Sequence, residues 1–354
     1  IVNYEKYLQP VDGKVDLSQF APFKVGLAAY NGKNYAVPGD NGTTGFFLRK
    51  DIIEKAGLTA KDFDNQTWER VIELAKIVKE KTGGAIEINV AGAEQLGSDA
   101  AMITALRTGT LAISANSQGA TATVVPELAA LGLPFLFTDS ASGVKVVSGK
   151  IGDLLRPKFE AVDLVPIGWW DNGIRHISNS KRSINVPDDL KGLKLRTPPD
   201  QATIDIFQAL GAATIQIAFS ELYVALQQNT VDGQENPLTN IYSSKLYEVN
   251  PFISLSAHKW ECTPVLMSKM AWNRLDAKSR EIVAEAMAEV TKLQVDLMEE
   301  ANTKLATEFR ANAALTVNEV DLAAFRKQTA SVFDKWEQKP FGAFVKELRK
   351  TVLG

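Results

Sequence analysis

Two arginines and an asparagine amide sit in three short polar and aromatic segments near the middle of the chain. These are Trp169-Trp170-Asp171-Asn172-Gly173-Ile174-Arg175-His176, Leu193-Lys194-Leu195-Arg196-Thr197-Pro198 and Val231-Asp232-Gly233-Gln234-Glu235-Asn236-Pro237. A guanidinium presents planar paired donors that match a carboxylate, and an amide fixes orientation without adding charge. Together they are what a protein needs to hold a small organic acid.

Arg196 is the leading anchor. It follows the short apolar strand Leu193–Leu195 and precedes Thr197-Pro198-Pro199, so its backbone is held at a strand end facing a crevice. Its alternative is an ion pair with Asp200 or Asp205. Arg175 lies in a segment able to pass between domains, and its alternative is to organise Asp171 or a backbone carbonyl. Pro237 biases Asn236 toward extended backbone, which turns its side chain out of the ladder, against a local turn cap; Asp232 and Glu235 suit loop organisation. Asn172 adds a second amide. Phe219, just before a helix cap at Ser220, offers either an apolar wall for a ligand or a core aromatic. Trp169 and Trp170 alternate faces of a strand, one entering the core and Trp170 facing the cleft. The run His258-Lys259-Trp260-Glu261 has residues for sugar hydroxyls and, in Trp260, a ring face, but also reads as a solvated hinge crossing.

The elements that must position these residues follow from periodicity. Residues 31–50 read as a strand, a flexible turn and a strand, and Asp51 to Ala56 as a short helix. Thr67 can cap a helix carrying Trp68, Val71, Ile72, Ala75 and Val78 at helical spacing, which Gly83-Gly84 stops. Next come a strand at Ile86 to Val90, a helix near Asp99 to Arg107, a strand at Leu111 to Ser114 and the apolar run Leu131 to Phe137. A strand–helix series continues through Ile215 and Ser220 to Gln228, which indicates an α/β sheet covered by helices. Asp276 to Asn312 contains no glycine or proline and keeps Ile282, Ala286, Val290, Leu293 and Leu297 on one stripe, a long helix. Asp321 to Trp336 reads as a closing amphipathic helix.

The three segments, with Phe219-Ser220-Glu221-Leu222-Tyr223-Val224-Ala225-Leu226-Gln227 and Leu133-Pro134-Phe135-Leu136-Phe137, resemble the solute receptors of TRAP transporters, the C4-dicarboxylate-binding (DctP-like) family. The resemblance runs from about Lys79 to the C-terminus with the motifs in the family's order. It implies an α/β, two-domain periplasmic-binding-protein-like fold of type II with a long helix lying across both domains. Domain I would comprise 83–172 and about 261–300, domain II 173–260 and about 301–354, with the ligand cleft between them. Arg196 then matches the carboxylate-pairing arginine, Arg175 a second carboxylate or hydroxyl contact and Asn236 a ligand contact, while Glu94, Gln95, Asn116 and Gln118 fall near the cleft. The implied partners are a small carboxylate ligand and membrane permease subunits, with a monomeric receptor in the periplasm and no cofactor. Residues 1–82, with Lys55-Ala56-Gly57-Leu58 and Thr67-Trp68-Glu69, instead resemble an internal fragment of a sugar-binding protein of the ABC importer type, which makes the chain read as a composite.

A site rich in amides and tryptophans, with Asp171 and Glu261 nearby, favours a sugar acid such as a hexuronate. The alternatives are a C4-dicarboxylate or another monocarboxylate, a neutral sugar, or an α/β enzyme acting on an organic acid. Against the enzyme, the sequence shows no Gly-x-Ser-x-Gly elbow, no phosphate loop and no clustered histidines.

Composition sets the remaining bounds. The 354 residues, 45% hydrophobic, suffice for two domains, and a net charge of -3 argues against a nucleic-acid or membrane surface. One cysteine excludes an intrachain disulfide, and two histidines leave little for a soft-metal site. No window offers the roughly twenty apolar residues of a membrane span. The opening Ile1-Val2-Asn3-Tyr4 carries neither a start methionine nor a signal peptide, so the chain reads as trimmed and export rests on the resemblance alone.

Overall fold

The computed structural model describes residues 95–353 and, ahead of them, residues 29, 30, 33, 34, 76, 79, 80, 83, 84, 87, 89 and 91. The elements expected over 35–75, most of the strand expected at Ile86 to Val90, and Glu94 lie outside the described residues. In the unit formed by residues 1–42, strands β1 (Ala29–Tyr30) and β2 (Lys33–Asn34) pair as a hairpin. At Gly83 and Gly84, φ angles of 61° and 87° turn the backbone left-handed, and their amides bond the carbonyls of Glu80 and Lys79 at 3.0 and 2.8 Å. This is the glycine helix stop read from the sequence.

The larger unit holds one mixed sheet. Its strands are β3 (Ile113–Ala115), β4 (Leu164–Asn179), β5 (Lys194–Thr197), β6 (Ala213–Gln216), β7 (Gly233–Asn236), β8 (Phe252–Ser268) and β9 (Thr316–Glu319), in the order β3-β8-β4-β7-β5-β6 with β9 beside β8. The helices are α1 (Asp99–Thr108), α2 (Gln118–Thr121), α3 (Ser140–Val147), α4 (Lys150–Glu160), α5 (Gln201–Ala209), α6 (Leu222–Gln227), α7 (Leu238–Ser243), α8 (Lys269–Arg274), α9 (Ala277–Ala311), α10 (Leu322–Thr329), α11 (Ser331–Glu337) and α12 (Gly342–Leu353). Several begin on a capping side chain that accepts an otherwise unpaired backbone N–H: Ser98 for α1, Asp139 for α3, Asp200 for α5 and Asp276 for α9.

Expectation and structure part at four places. The apolar run Leu131 to Phe137 is buried throughout but forms no strand; it closes a 3-10 turn, and Phe135 at φ 54° donates its amide to the His258 carbonyl. Ser220 lies inside a 3-10 turn, Phe219–Glu221, and caps nothing. The closing helix breaks at Ala330 into α10 and α11. Val332, Trp336, Val345 and Leu348, placed on sequence in domain II, pack instead into the cluster built by Ile103, Leu128, Leu155 and Trp169. There the Trp336 indole N–H also donates to Asp205 at 2.8 Å, which ties α11 to α5.

Two other apolar clusters complete the core, one around Ile177, Leu195, Phe207 and Phe325, the other around Leu226, Ile241, Ile253, Leu305 and Phe309. Strands β4 and β8 pair antiparallel along their length and link the clusters, but their register breaks three times. Ile167 is an extra residue between the pairs Pro166–Leu266 and Gly168–Val265. Asn172 is an extra residue between the pairs Asp171–Cys262 and Gly173–Glu261. Further on, Arg175 faces Lys259 and Ile177 faces Ser254, which leaves residues 255–258 opposite His176 alone. His176 fills that bulge: its Nδ1 accepts the amide of Ala257, which sits at φ 42°.

Helix α9 lies over this crossing. At 35 residues it is roughly 50 Å long. Gly168 leaves room for it, since a Cβ there would lie 2.7 Å from Met287 Cγ, and Gln294 clamps Asp171 by accepting its amide at 2.8 Å and donating to its carbonyl at 2.7 Å. Its far end enters the third cluster through Leu305 and Phe309.

The crossing carries two titratable groups with opposite sensitivities. Burial, then the neighbouring His258, pushes His176 from its usual 6.5 down to about 3. Unfolded chain therefore binds a proton that folded chain refuses, and stability is lost as pH falls from 6.5 toward 3. Burial raises Asp171 from 3.8 to about 6, only partly offset by the Trp260 hydrogen bond; folded chain takes that proton first, so stability is gained as pH falls from 6 toward 3.8. Melting temperature of His176→Asn should decline less with acid than that of the parent, and Asp171→Asn should decline more between pH 6 and 4; parallel curves for all three would refute the assignment. Separately, a Cβ on Gly143 would lie 2.6 Å from the Trp260 ring, so Gly143→Ala should lower unfolding free energy by about 1–3 kcal/mol in denaturant titration.

Candidate ligand-binding site

Arg196 ends the parallel strand β5, between Ile215 of β6 and Gln234 of β7. It is 3% exposed. Its Nε donates to the Ile217 carbonyl at 2.8 Å, and its guanidinium carbon lies 5.9 Å from the centre of the Phe219 ring. Its two terminal nitrogens meet no acceptor among the described residues. Neither aspartate expected as a competitor holds it: Asp200 pairs with Lys259 at 2.7 Å and Asp205 with Lys335 at 2.8 Å. Burial pulls Arg196 down to about 10, so it remains charged at neutral pH.

Arg175 is committed to protein. Nε reaches Glu235 Oε2 at 2.5 Å, Nη1 reaches Glu261 Oε2 at 2.7 Å, and Nη2 contacts Glu235 Oε1, the Glu235 carbonyl and Asn236 Oδ1 at 2.7, 2.7 and 3.0 Å. Burial alone would lower its pKa, but Glu235 and Glu261 hold it above the usual range. The partners are the glutamates, not the Asp171 considered from sequence.

The network continues through Lys259, fully buried on β8. Its ammonium donates to Asp200 at 2.7 Å, Thr203 at 2.6 Å and Glu261 at 2.7 Å, which uses all three of its donors. Those carboxylates outweigh the effect of burial and raise its pKa. Glu235 also takes His258 Nε2 at 3.2 Å, and His258 Nδ1 meets Ser256 at 2.8 Å. Burial would raise Glu235, but Arg175 and His258 hold it far below the carboxylate range.

The amides gather on this network. Asn172 donates to Glu261 at 3.1 Å and accepts from Asn240 at 3.2 Å. Asn236, in extended β7 as read from Pro237, donates to Gln234 and accepts from Arg175. Gln118 uses its oxygen on the Cys262 amide at 3.1 Å and keeps a buried Nε2 without a partner. Asn116 bonds Asp99 at 2.9 Å and Ser114 at 2.6 Å. Gln95 lies in an exposed turn.

Two tryptophans fall elsewhere. Trp260 is fully buried in the first cluster, edge-on to Phe137 at 5.1 Å, and donates to Asp171 at 2.7 Å; alternation along β8 sends it to the core while Lys259 and Glu261 take the other face. Nor is the run around it solvated, since all four of its residues are buried. Trp169 enters the core beside Phe159, as expected of one of the pair. Trp170 is half-buried on the strand face of Gly168, toward α9 rather than Arg196, and its indole N–H has no partner.

A cavity of about 390 Å³ opens beside α9, lined by Ile174, His176, Leu255, Asn302 and Arg310 among others; Arg196, Phe219 and Asn236 do not line it. The free donors therefore lie away from it. What the sequence missed is the Asp200–Lys259 pair: 59 positions separate its members, and no local pattern joins them. Among the described residues no group of histidine, cysteine, aspartate or glutamate could hold a metal, and no helix is long and apolar enough to cross a membrane.

The chain is similar to several known proteins. A protein of Sinorhizobium fredii, y4mM, is 58% identical over 74% of this chain, and the chain spans about half of that relative's length, 48%. The sugar acid binding protein DctPAm of Advenella mimigardefordensis, solved with galactonate, superposes with TM-score 0.77 at 30% identity, covering 82% of this chain and 94% of that one. A TRAP periplasmic solute binding protein of Polaromonas, solved with D-erythronate, gives TM-score 0.76 at 29% identity, covering 81% and 94%. The mixed α/β fold expected from the motifs is thus the fold of these receptors. The profile of the bacterial extracellular solute-binding proteins, family 7 (DctP), matches residues 60–339, beginning ahead of Lys79. That match spans more than half of the sequence, and the chain belongs to that family.

Proposed function

We propose that this chain is the extracytoplasmic receptor of a TRAP transporter and that its ligand is a sugar acid. The observation that carries the reading is Arg196: a buried, charged guanidinium whose terminal nitrogens meet no acceptor among the described residues, held by the Ile217 carbonyl beside the Phe219 ring. Burying a charge without a partner is costly, so a buried cation with an open fork calls for an anion. A carboxylate fits it with two parallel hydrogen bonds. The bound galactonate and D-erythronate of the two structural relatives support a hydroxylated carbon chain on that carboxylate.

Phe219 would then supply an apolar wall, Asn236, Asn172 and Gln118 amide contacts for hydroxyls, and Gln118 a donor already free. We place the cleft where β4 and β8 cross, with 83–172 and about 261–300 on one side, 173–260 and about 301–331 on the other, and the closing helices returning to the first side. Closure over the acid would present a compact monomeric receptor to membrane permease subunits, in the periplasm. The bound acid leaves unchanged, as capture needs no nucleophile.

A thermal-shift screen against hexuronates, aldonates, C4-dicarboxylates and neutral sugars tests the reading, since a ligand that binds only folded protein raises the melting temperature by mass action. Sugar acids should raise it; a response to neutral sugars alone overturns the proposal. Arg196→Lys keeps the charge but loses the fork, so affinity for the acid should fall about tenfold or more in calorimetry. Unchanged affinity would remove Arg196 as the anchor.

A further inference from the structure

The second arginine raises a question of valence. Matching receptors for diacids would need a second cation, and the crossing contains two more, Arg175 and Lys259. Lys259 has no donor to spare, since Asp200, Thr203 and Glu261 take all three, and Arg175, held by Glu235, Glu261 and Asn236, keeps only the second N–H of Nη1. Glu261 stands in both sets, with Oε2 on Arg175 and Oε1 on Lys259.

Charge tells the same story. Asp200, Glu235 and Glu261 face Arg175 and Lys259, three carboxylates against two cations, and Arg196 is the third cation that balances them. Arg196 feels Glu235, Arg175 and Glu261 electrostatically while bonding none of them. The first carboxylate of a ligand takes the open fork of Arg196 and leaves the region with one excess negative charge. A second carboxylate would enter a field already negative, with no paired fork to receive it: among the described residues of the network the only cationic donor left over is the second N–H of Arg175 Nη1.

From this juxtaposition we infer that Glu261 is a specificity residue: by occupying Arg175 and Lys259 together it restricts the site to acids with a single carboxylate and repels diacids. The inference rests on the sugar-acid reading above and names the class within it. Glu261 acts through the two cations and is a positioning residue rather than a ligand contact.

The test compares each monoacid with the diacid of the same skeleton, galactonate with galactarate and glucuronate with glucarate, by calorimetry. The parent should bind the better monoacid at least about tenfold more tightly than its diacid, and the gap should narrow at high salt, because a charge penalty is screened and a steric one is not. Glu261→Gln removes one charge and loosens Arg175, so the ratio should fall toward unity; Glu261→Asp keeps the charge and should keep the ratio. A diacid bound as tightly as its monoacid by the parent overturns the inference while leaving the receptor reading intact. So does an unchanged ratio in a folded Glu261→Gln protein. If neither monoacid binds, the sugar-acid reading fails and the inference with it. Should Glu261→Gln not fold, the parent's ratio and its salt dependence decide the matter.

Discussion

Two cations and three carboxylates share the dry space where β4, β7, β8 and the start of α5 meet, and the rest of the molecule is arranged around keeping them paired. Taking such charges out of water costs several kcal/mol each, roughly, and only full pairing with good geometry repays it. Here the pairing is nearly full: Arg175 spends all but one Nη1 N–H on Glu235, Glu261 and Asn236, and Lys259 spends its three on Asp200, Thr203 and Glu261. The partners come from β4, β7, β8 and the start of α5, so the network ties those four elements to one another. It also decides which arginine is free. Asp200 is consumed by Lys259 and Asp205 by Lys335 and Trp336; with both occupied elsewhere, the fork of Arg196 is open among the described residues.

Around that network the crossing strands are made irregular and then braced. The extra residue at Asn172 and the bulge at 255–258 interrupt the β4–β8 ladder where an unbroken pairing would be stiffest. Helix α9 restores order across the same stretch, seating Met287 at Gly168 and closing both backbone groups of Asp171 with the amide of Gln294.

Much of the framework was legible because its causes are local. A glycine-free, proline-free run with an aspartate before it and an apolar stripe along it can only bury that stripe as a helix, and α9 begins on Asp276 as read. Arg196 at the end of β5 followed from an apolar strand running into two prolines, and Asn236 in extended backbone from the proline behind it. The errors share one cause. Trp260, Trp170 and the run Leu131 to Phe137 have side chains suited to either a core or a cleft, and which neighbour covers them is not written within a few residues of any of them. Ser220 has the chemistry of a cap, but the chain turns through a 3-10 step before the helix starts.

The sequence by itself determined the alternation of strands and helices, the long brace, the strand-end position of Arg196 and, through ordered motifs, membership of the solute-binding family. Those properties depend on periodicity, capping and short words, which act over one to four residues. Only the tertiary structure decided the valence of each charged side chain. On paper Arg196 was the leading anchor and Arg175 either a second ligand contact or a structural residue; Glu235 and Glu261, 60 and 86 positions away, reach Arg175 at bonding distance and give it the structural role. Ion pairing falls off within a few ångströms and ignores separation along the chain, so the same residue type becomes a structural pin or an open binding fork according to what the fold brings beside it.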